Sequence, residues 1–428
     1  MSIEDLRANI ETGDAWLDHS NERQTTRDSE DSVSTGQWAH PRWVRMNTLK
    51  TTMHDQLKTT FVEYKKVDSL VQLVRGASNA SIKLVYVDSN IPNLLALSAA
   101  TDISKTPAYF NGLLILQDKA SCFPAYLLDP DPADGDIIDA CAAPGNKTTH
   151  LAAILREKSG TVRNDRIYAC ERDAVRAATL DQMVHIAGAG EVVIIRKGQD
   201  FLRLDPNSSP GSNVGSLLLD PSCSGSGIVD RDQPLRVVLP SMRPTDPLGA
   251  QSKKRKRKAD ISTQPVLQAQ REEIPISESK QPDQLAARLT ALSTFQLKLL
   301  LHAFQFPKAR RLTYSTCSIY AEENEHVVMK ALDSSIAKQH GWRILRRTDQ
   351  ISGMKSWGIR GDPQACKVVA ASVCPEEVAE ACIRCEKGTQ EGTQGFFVAA
   401  FVREFDSGVK EQVLEEEWKG FGDDGGDS

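Results

Sequence analysis

"DIIDACAAPGNKTTHLAA" (136–153) reads as a strand, a tight turn and the start of a helix. The isoleucines at 137 and 138 suit a buried strand, Pro144-Gly145 breaks it, and a helical pattern follows. A strand–turn–helix of this kind aims backbone N–H groups at a ligand, and Gly145 lets that ligand come close. The spacing is neither GxGxxG nor GxxxxGK[ST], which disfavours NAD and ATP; a purely structural turn is the alternative.

Working outward, the same rhythm recurs. "RIYAC" leads through "ERD" into "AVRAATLDQMVHIAG", and "EVVIIRKGQDF" and "SLLLDPSCSGSG" follow. "RRLTYSTCS" precedes "AEENEHVVMKAL", and "TQGFFVAAFVREF" is a last strand with no room for a crossover helix after it. Strands alternating with helices of this length predict an α/β fold with a doubly wound, mostly parallel sheet over residues 117–405. Residues 41–116 alternate helical ("TTMHDQLKTTFVEY") and strand-like ("IKLVYVD", "GLLILQ") stretches, enough for a small α+β domain. Residues 1–40 are mostly polar and read as disordered, as does the acidic tail 406–428. The stretch 230–285, holding "KKRKRK" (253–258), reads as a disordered basic insertion, because both flanks keep the β–α rhythm.

Composition narrows the function classes. The 428 residues are 40% hydrophobic and 25% charged, which is ordinary for a globular protein, and no apolar run reaches the ~18 residues of a membrane span. "MSIEDLRANIETGD" does not read as a secretory signal, so the nine cysteines are expected to be reduced thiols in the cytosol or nucleus. A net charge of −5 argues against wholesale nucleic-acid binding, yet leaves room for a local basic surface.

Glu171 ends the second strand, where a carboxylate can accept both hydrogen bonds of a ribose diol, and Asp200 follows the third, where an adenine amine needs an acceptor. Singly these would be solvated turn residues; as an ordered set they outline an adenosine pocket. The fourth and fifth strands then present Asp220, Cys223 and Cys317 at the same carboxyl edge. Carbon 5 of cytosine is a poor nucleophile, and a thiolate adding at carbon 6 makes it able to take a methyl group. A carboxylate near ring nitrogen 3 assists, and a second group must remove the carbon-5 proton. Two thiols and a carboxylate fit that scheme, though spacing does not decide which thiol does which.

"DACAAPGNKTTHLAA", "LLLDPSCSGSG" and "YSTCS", with "PRWVRMNTLK", "LILQDKAS" and "GFFVAAF", resemble the Sun-domain (Nol/Sun) family of RNA cytosine-5 methyltransferases, over about residues 41–230 and 285–405. Within it the chain is similar to the eukaryotic branch acting on large-subunit ribosomal RNA. The resemblance implies a class I (Rossmann-like) methyltransferase domain behind a small RNA-binding domain. It implies S-adenosyl-L-methionine as cofactor, held by Cys141, Ala142, Ala143, Pro144, Gly145, Asn146, Lys147, Glu171, Arg176, Asp200 and Asp220. It makes Cys317 the nucleophile and Cys223 the releasing residue, with Asp220 assisting. The expected protein is a nuclear, nucleolar monomer whose partner is RNA, with no membrane and no metal. The runner-up is a non-catalytic RNA-binding ribosome-assembly factor; DNA methylation ranks third. Two departures stand out. The polar stretch before "PRWVRMNTLK" is shorter than the family's helical N-terminal region, and Glu171 stands where Asp is common.

Other signals are weaker. "KKRKRK" reads as a nuclear-import signal, with RNA contact as the second reading. Cys366, Cys374, Cys382 and Cys385 fit no common zinc spacing. His302 and His326, near Cys317 in sequence, read as surface or packing residues.

Overall fold

The computed structural model describes residues 40–76, 82–159, 166–228 and 282–404. The polar N-terminal stretch up to residue 39, the "KKRKRK" run and the acidic tail lie outside the described residues.

The smaller sheet comprises β1 (Arg42–Met46), β2 (Lys65–Val67), β3 (Leu84–Val87), β4 (Leu94–Leu97) and β5 (Leu114–Leu116), in the order β2-β3-β4-β1-β5. Short helices α1 (Met53–Lys58), α2 (Leu70–Gly76) and α3 (Pro107–Phe110) connect them. All pairings are antiparallel except β2 with β3.

The larger sheet follows. Helix α4 (Lys119–Leu128), capped by Asp118, leads to β6 (Asp136–Asp139), then α5 (Asn146–Ser159), β7 (Ile167–Glu171), α6 (Ala174–Ala187), β8 (Val193–Lys197) and β9 (Val214–Leu219). Helix α7 (Pro282–Ala303) starts inside the last residues of the stretch read as an insertion, and β10 (Arg311–Thr316) and α8 (Glu325–Asp333) come next. Three further strands, β11 (Arg343–Ile344), β12 (Ile383–Cys385) and β13 (Phe396–Val402), complete the sheet. The order is β11-β13-β10-β9-β6-β7-β8, with β12 also on β13. Strands β6 to β10 run parallel, whereas β13 lies antiparallel to β10, from Arg311↔Val402 to Thr316↔Phe397.

Helices cover both faces, so the central strands read as continuous apolar runs; β6 and β9 are buried at every position. One apolar cluster joins Leu217, Tyr314 and Phe397 to Leu299, Phe304 and Val328, and another joins Ile137 and Leu218 to Leu151 and Leu180. A third runs between the sheets, packing Trp43 and Leu94 with Phe123, Trp357 and Val398. The order of connection reverses between β6 and β9, and in open sheets that switch point opens a crevice beyond the strand ends.

Candidate active site

The turn after β6 owes its shape to Gly145. Its φ is +108°, and a Cβ there would lie 3.0 Å from Met183 Cγ and 3.1 Å from Leu180 Cδ1 on α6. Only glycine avoids both costs. Below the turn, Asp139 is buried and accepts from Thr148 Oγ1 at 2.8 Å, while its Oδ1 has no partner among the described residues. Burial pushes its pKa up to about 7, against the opposing hydrogen bond from Thr148.

At the end of β7, Glu171 is buried and accepts from the Asp173 amide at 2.9 Å. Arg176 on α6 lies 3.4 Å from Glu171 and donates to the Ala143 carbonyl at 3.0 Å, tying the first loop to the second. Asp200 caps the turn Phe201–Arg203 by accepting from the Leu202 amide at 3.1 Å. Cys141, Pro144, Asn146, Glu171, Arg176 and Asp200 all face one cleft of about 720 Å³. Ala143 and Lys147 face it too, whereas Ala142 and Gly145 do not line it. Cys141 titrates above the ordinary thiol range, through burial and then the neighbouring Asp139, so it is an inert thiol.

The same cleft holds Asp220, Cys223 and Cys317. The sulphurs of Cys223 and Cys317 are 3.2 Å apart and hydrogen-bonded. Asp220 accepts from Ser315 Oγ at 2.6 Å and pairs with Lys147 Nζ at 2.7 Å. Lys147 also reaches Ser121 Oγ at 3.2 Å and lies 5.5 Å from the Phe396 ring centre. Burial alone would lower the lysine pKa; the Asp220 charge and hydrogen bond, with Asp139 and Cys317 adding, raise it instead. The Cys223 thiol is pushed well up, first by its hydrogen bond to Cys317 and then by burial. The structure therefore brings the expected cofactor and catalytic residues to one cleft, except Ala142 and Gly145, which belong to its first loop without lining it. Two partnerships escaped that reading, Lys147 with Asp220 and Ser315 with Asp220. Neither left a signal in the sequence, since the pairing of Ser315 with Asp220 depends on the register of β10 against β9.

The remaining candidates sit elsewhere. Cys366, Cys382 and Cys385 are buried in apolar surroundings, and Cys374 is exposed. Among the described residues no group of three or more His, Cys, Asp or Glu could hold a metal ion. His302 packs edge-on against Phe201 and Phe306 and hydrogen-bonds the Leu204 carbonyl at 3.0 Å.

A mostly parallel eight-stranded sheet with antiparallel strands at one side and a cofactor-sized crevice at its switch point is the fold of the class I methyltransferases. The solved methyltransferase homologue protein from Pyrococcus horikoshii shares it, with a TM-score of 0.53 and 21% identity over 85% of this chain and 87% of that one. At that identity the likeness shows the fold alone. Residues 40–117 match the family described as "NOL1/NOP2/Sun domain family member 5, ferredoxin-like domain", and residues 125–258 match "16S rRNA methyltransferase RsmB/F". The 25S rRNA (cytosine-C(5))-methyltransferase rcm1 of Schizosaccharomyces pombe is 38% identical over 84% of this chain and 62% of its own length. The 28S rRNA (cytosine-C(5))-methyltransferase of Mus musculus is 35% identical over 85% and 62%. The 26S rRNA (cytosine-C(5))-methyltransferase nsun-5 of Caenorhabditis elegans is 31% identical over 85% and 67%. The chain belongs to the NOL1/NOP2/Sun domain family. It spans less than two thirds of the length of the S. pombe and mouse relatives.

Proposed function

We propose that the chain methylates carbon 5 of a cytosine in large-subunit ribosomal RNA, using S-adenosylmethionine and a transient thioether to Cys317. The observation that carries this reading is the pair of sulphurs 3.2 Å apart, beside the Lys147–Asp220 ion pair and in a cleft that also presents Glu171 and Asp200. The residues present fit the cofactor. Glu171 offers a carboxylate to a ribose, Asp200 an acceptor to an adenine amine, and Gly145 lets the chain approach closely. When bound, the cofactor supplies an electrophilic methyl group.

Lys147 is near enough to Cys317 for the two charges to interact, so it favours a thiolate there. The Cys317 sulphur bonds to carbon 6 of the base, and the ring electrons shift to nitrogen 3. The Lys147–Asp220 pair is placed to supply and hold the proton that nitrogen 3 takes. With carbon 5 methylated, Cys223 has no thiolate beside it and loses its own proton to water. It then takes the carbon-5 proton, the sulphur–carbon 6 bond breaks, Cys317 leaves as thiolate, and nitrogen 3 returns its proton to the Lys147–Asp220 pair. Nuclear, and specifically nucleolar, residence follows from such a substrate.

Bisulfite sequencing of large-subunit ribosomal RNA tests the reading. One cytosine should lose its methyl mark without the protein and regain it with the wild type but not with Cys317→Ala. An unchanged methylation map would contradict it and favour a non-catalytic assembly factor. For the cofactor, Glu171→Ala should weaken S-adenosylmethionine binding by about 1–3 kcal/mol, the cost of unpaired polar partners. Equal affinity by calorimetry would remove Glu171 from the ribose.

A further inference from the structure

Two thiols at 3.2 Å need a device that tells them apart if one attacks and the other waits. The strongest candidate lies behind them. Glu323, on the short turn after β10, is fully buried. Its Oε1 accepts from the Ser224 amide at 2.8 Å and from Gln296 Nε2 on α7 at 3.0 Å. The same Gln296 nitrogen donates to the Ser222 carbonyl at 3.1 Å. Both residues flanking Cys223 thus hang on one carboxylate–amide pair.

The two loops are also joined directly. Ser224 and Ser318 hydroxyls are 3.0 Å apart, and the Gly227 amide donates to the Cys317 carbonyl at 3.0 Å. Glu323 Oε2, however, has no partner among the described residues. A half-satisfied buried carboxylate is costly, and a glutamine would satisfy Ser224 without a charge. A carboxylate here adds what a glutamine cannot, a field at the neighbouring thiol.

We propose that Glu323 is a positioning residue of the cleft: its carboxylate fixes the Cys223 loop, and its charge keeps Cys223 a thiol while Cys317 is the thiolate. The surroundings agree. Cys223 interacts with Cys317 and Glu323, and the buried Tyr314 on β10 interacts with Cys223, Glu323 and Asp220; Tyr314 is held neutral by burial first. Among the cations of the cleft, Lys147 pairs with Asp220 and interacts with Cys317. Glu323 acts on the Cys223 side of the pair and Lys147 on the Cys317 side. The catalytic meaning rests on the proposed methyl transfer, but the electrostatic claim does not need RNA.

The test is alkylation of the whole protein with iodoacetamide across pH, reading the Cys223 peptide by mass spectrometry. In Glu323→Gln the Cys223 midpoint should fall by about one pH unit or more, the effect of removing a close charge. A folded variant with the wild-type midpoint would overturn the proposal. Glu323→Asp keeps the charge and withdraws the acceptor from Ser224. Its Cys223 midpoint should hold, while the Ser224 amide exchanges hydrogen about tenfold faster. Unchanged protection in Glu323→Asp would equally overturn it, and this arm stands if Glu323→Gln does not fold. Wild type that neither methylates nor traps RNA, with the alkylation shifts as expected, would sink the proposed reaction and leave the role of Glu323 standing.

Discussion

Asp139 carries the clearest pH signature of any single residue. Its pKa rises from 3.8 to about 7 because the fold takes the carboxylate out of water. Below about pH 4 both the folded and unfolded chains hold this proton. Between about pH 4 and pH 7 the unfolded chain releases it and the folded chain keeps it, so stability falls as pH rises through that window. Asp139→Asn removes the titration and can still accept from Thr148. Its stability relative to wild type should therefore improve from pH 5 to pH 8, as measured by urea unfolding; a relative loss over that range would contradict the assignment. At this scale the residue types were legible: two thiols and three carboxylates at strand ends have little structural reason to be there. The partners of Asp220 were not, because they depend on register. Tyr314 pairs with Leu219, which sets Ser315 level with Asp220.

Among the elements, the turn between β6 and α5 bears the greatest constraint. Gly145→Ala would force a side chain into a left-handed backbone and against Met183 and Leu180. A loss of about 1–3 kcal/mol in denaturant unfolding is expected, the range for such strain. A variant as stable as wild type would show that the turn relaxes freely. The turn was readable because Pro-Gly interrupts an apolar strand, and β6 to β10 were readable as apolar runs between helical patterns. Strand β2 was not, since Lys65-Lys66-Val67 is short and exposed, and neither was β4, whose four residues are buried and so do not alternate. The start of α7 was hidden by the polar composition preceding it.

On the scale of the whole molecule, the two sheets are held by contacts that leave no local pattern in the sequence. Lys119, on α4, pairs with Asp88 beyond β3 at 2.7 Å, both side chains buried, and lies 5.3 Å and 5.0 Å from the ring centres of Trp43 and Trp357. Arg45 on β1 reaches Gln117 at 2.7 Å and Thr149 on α5 at 2.9 Å, and Asn47 reaches the Gly112 and Ala187 carbonyls. The reading at 116/117 separated a small domain from a large one, but the packing runs across that line. Lys119→Met would strand the Asp88 charge and should cost about 3–5 kcal/mol. Adding Asp88→Asn, which removes the charge and keeps an acceptor for the Asn90 and Ile91 amides, should recover much of that loss. A Lys119→Met protein as stable as wild type would show that the sheets do not depend on this pair.

The central claim is that Cys317 attacks the base and Cys223 releases it, and one denaturing gel reads both. Each cysteine variant is incubated with a ribosomal RNA fragment and S-adenosylmethionine. Cys223→Ala should attack and methylate but stall, giving a slow, RNase-sensitive protein–RNA conjugate that is absent from Cys317→Ala and from the double variant. Conjugate in Cys317→Ala with none in Cys223→Ala would contradict the account.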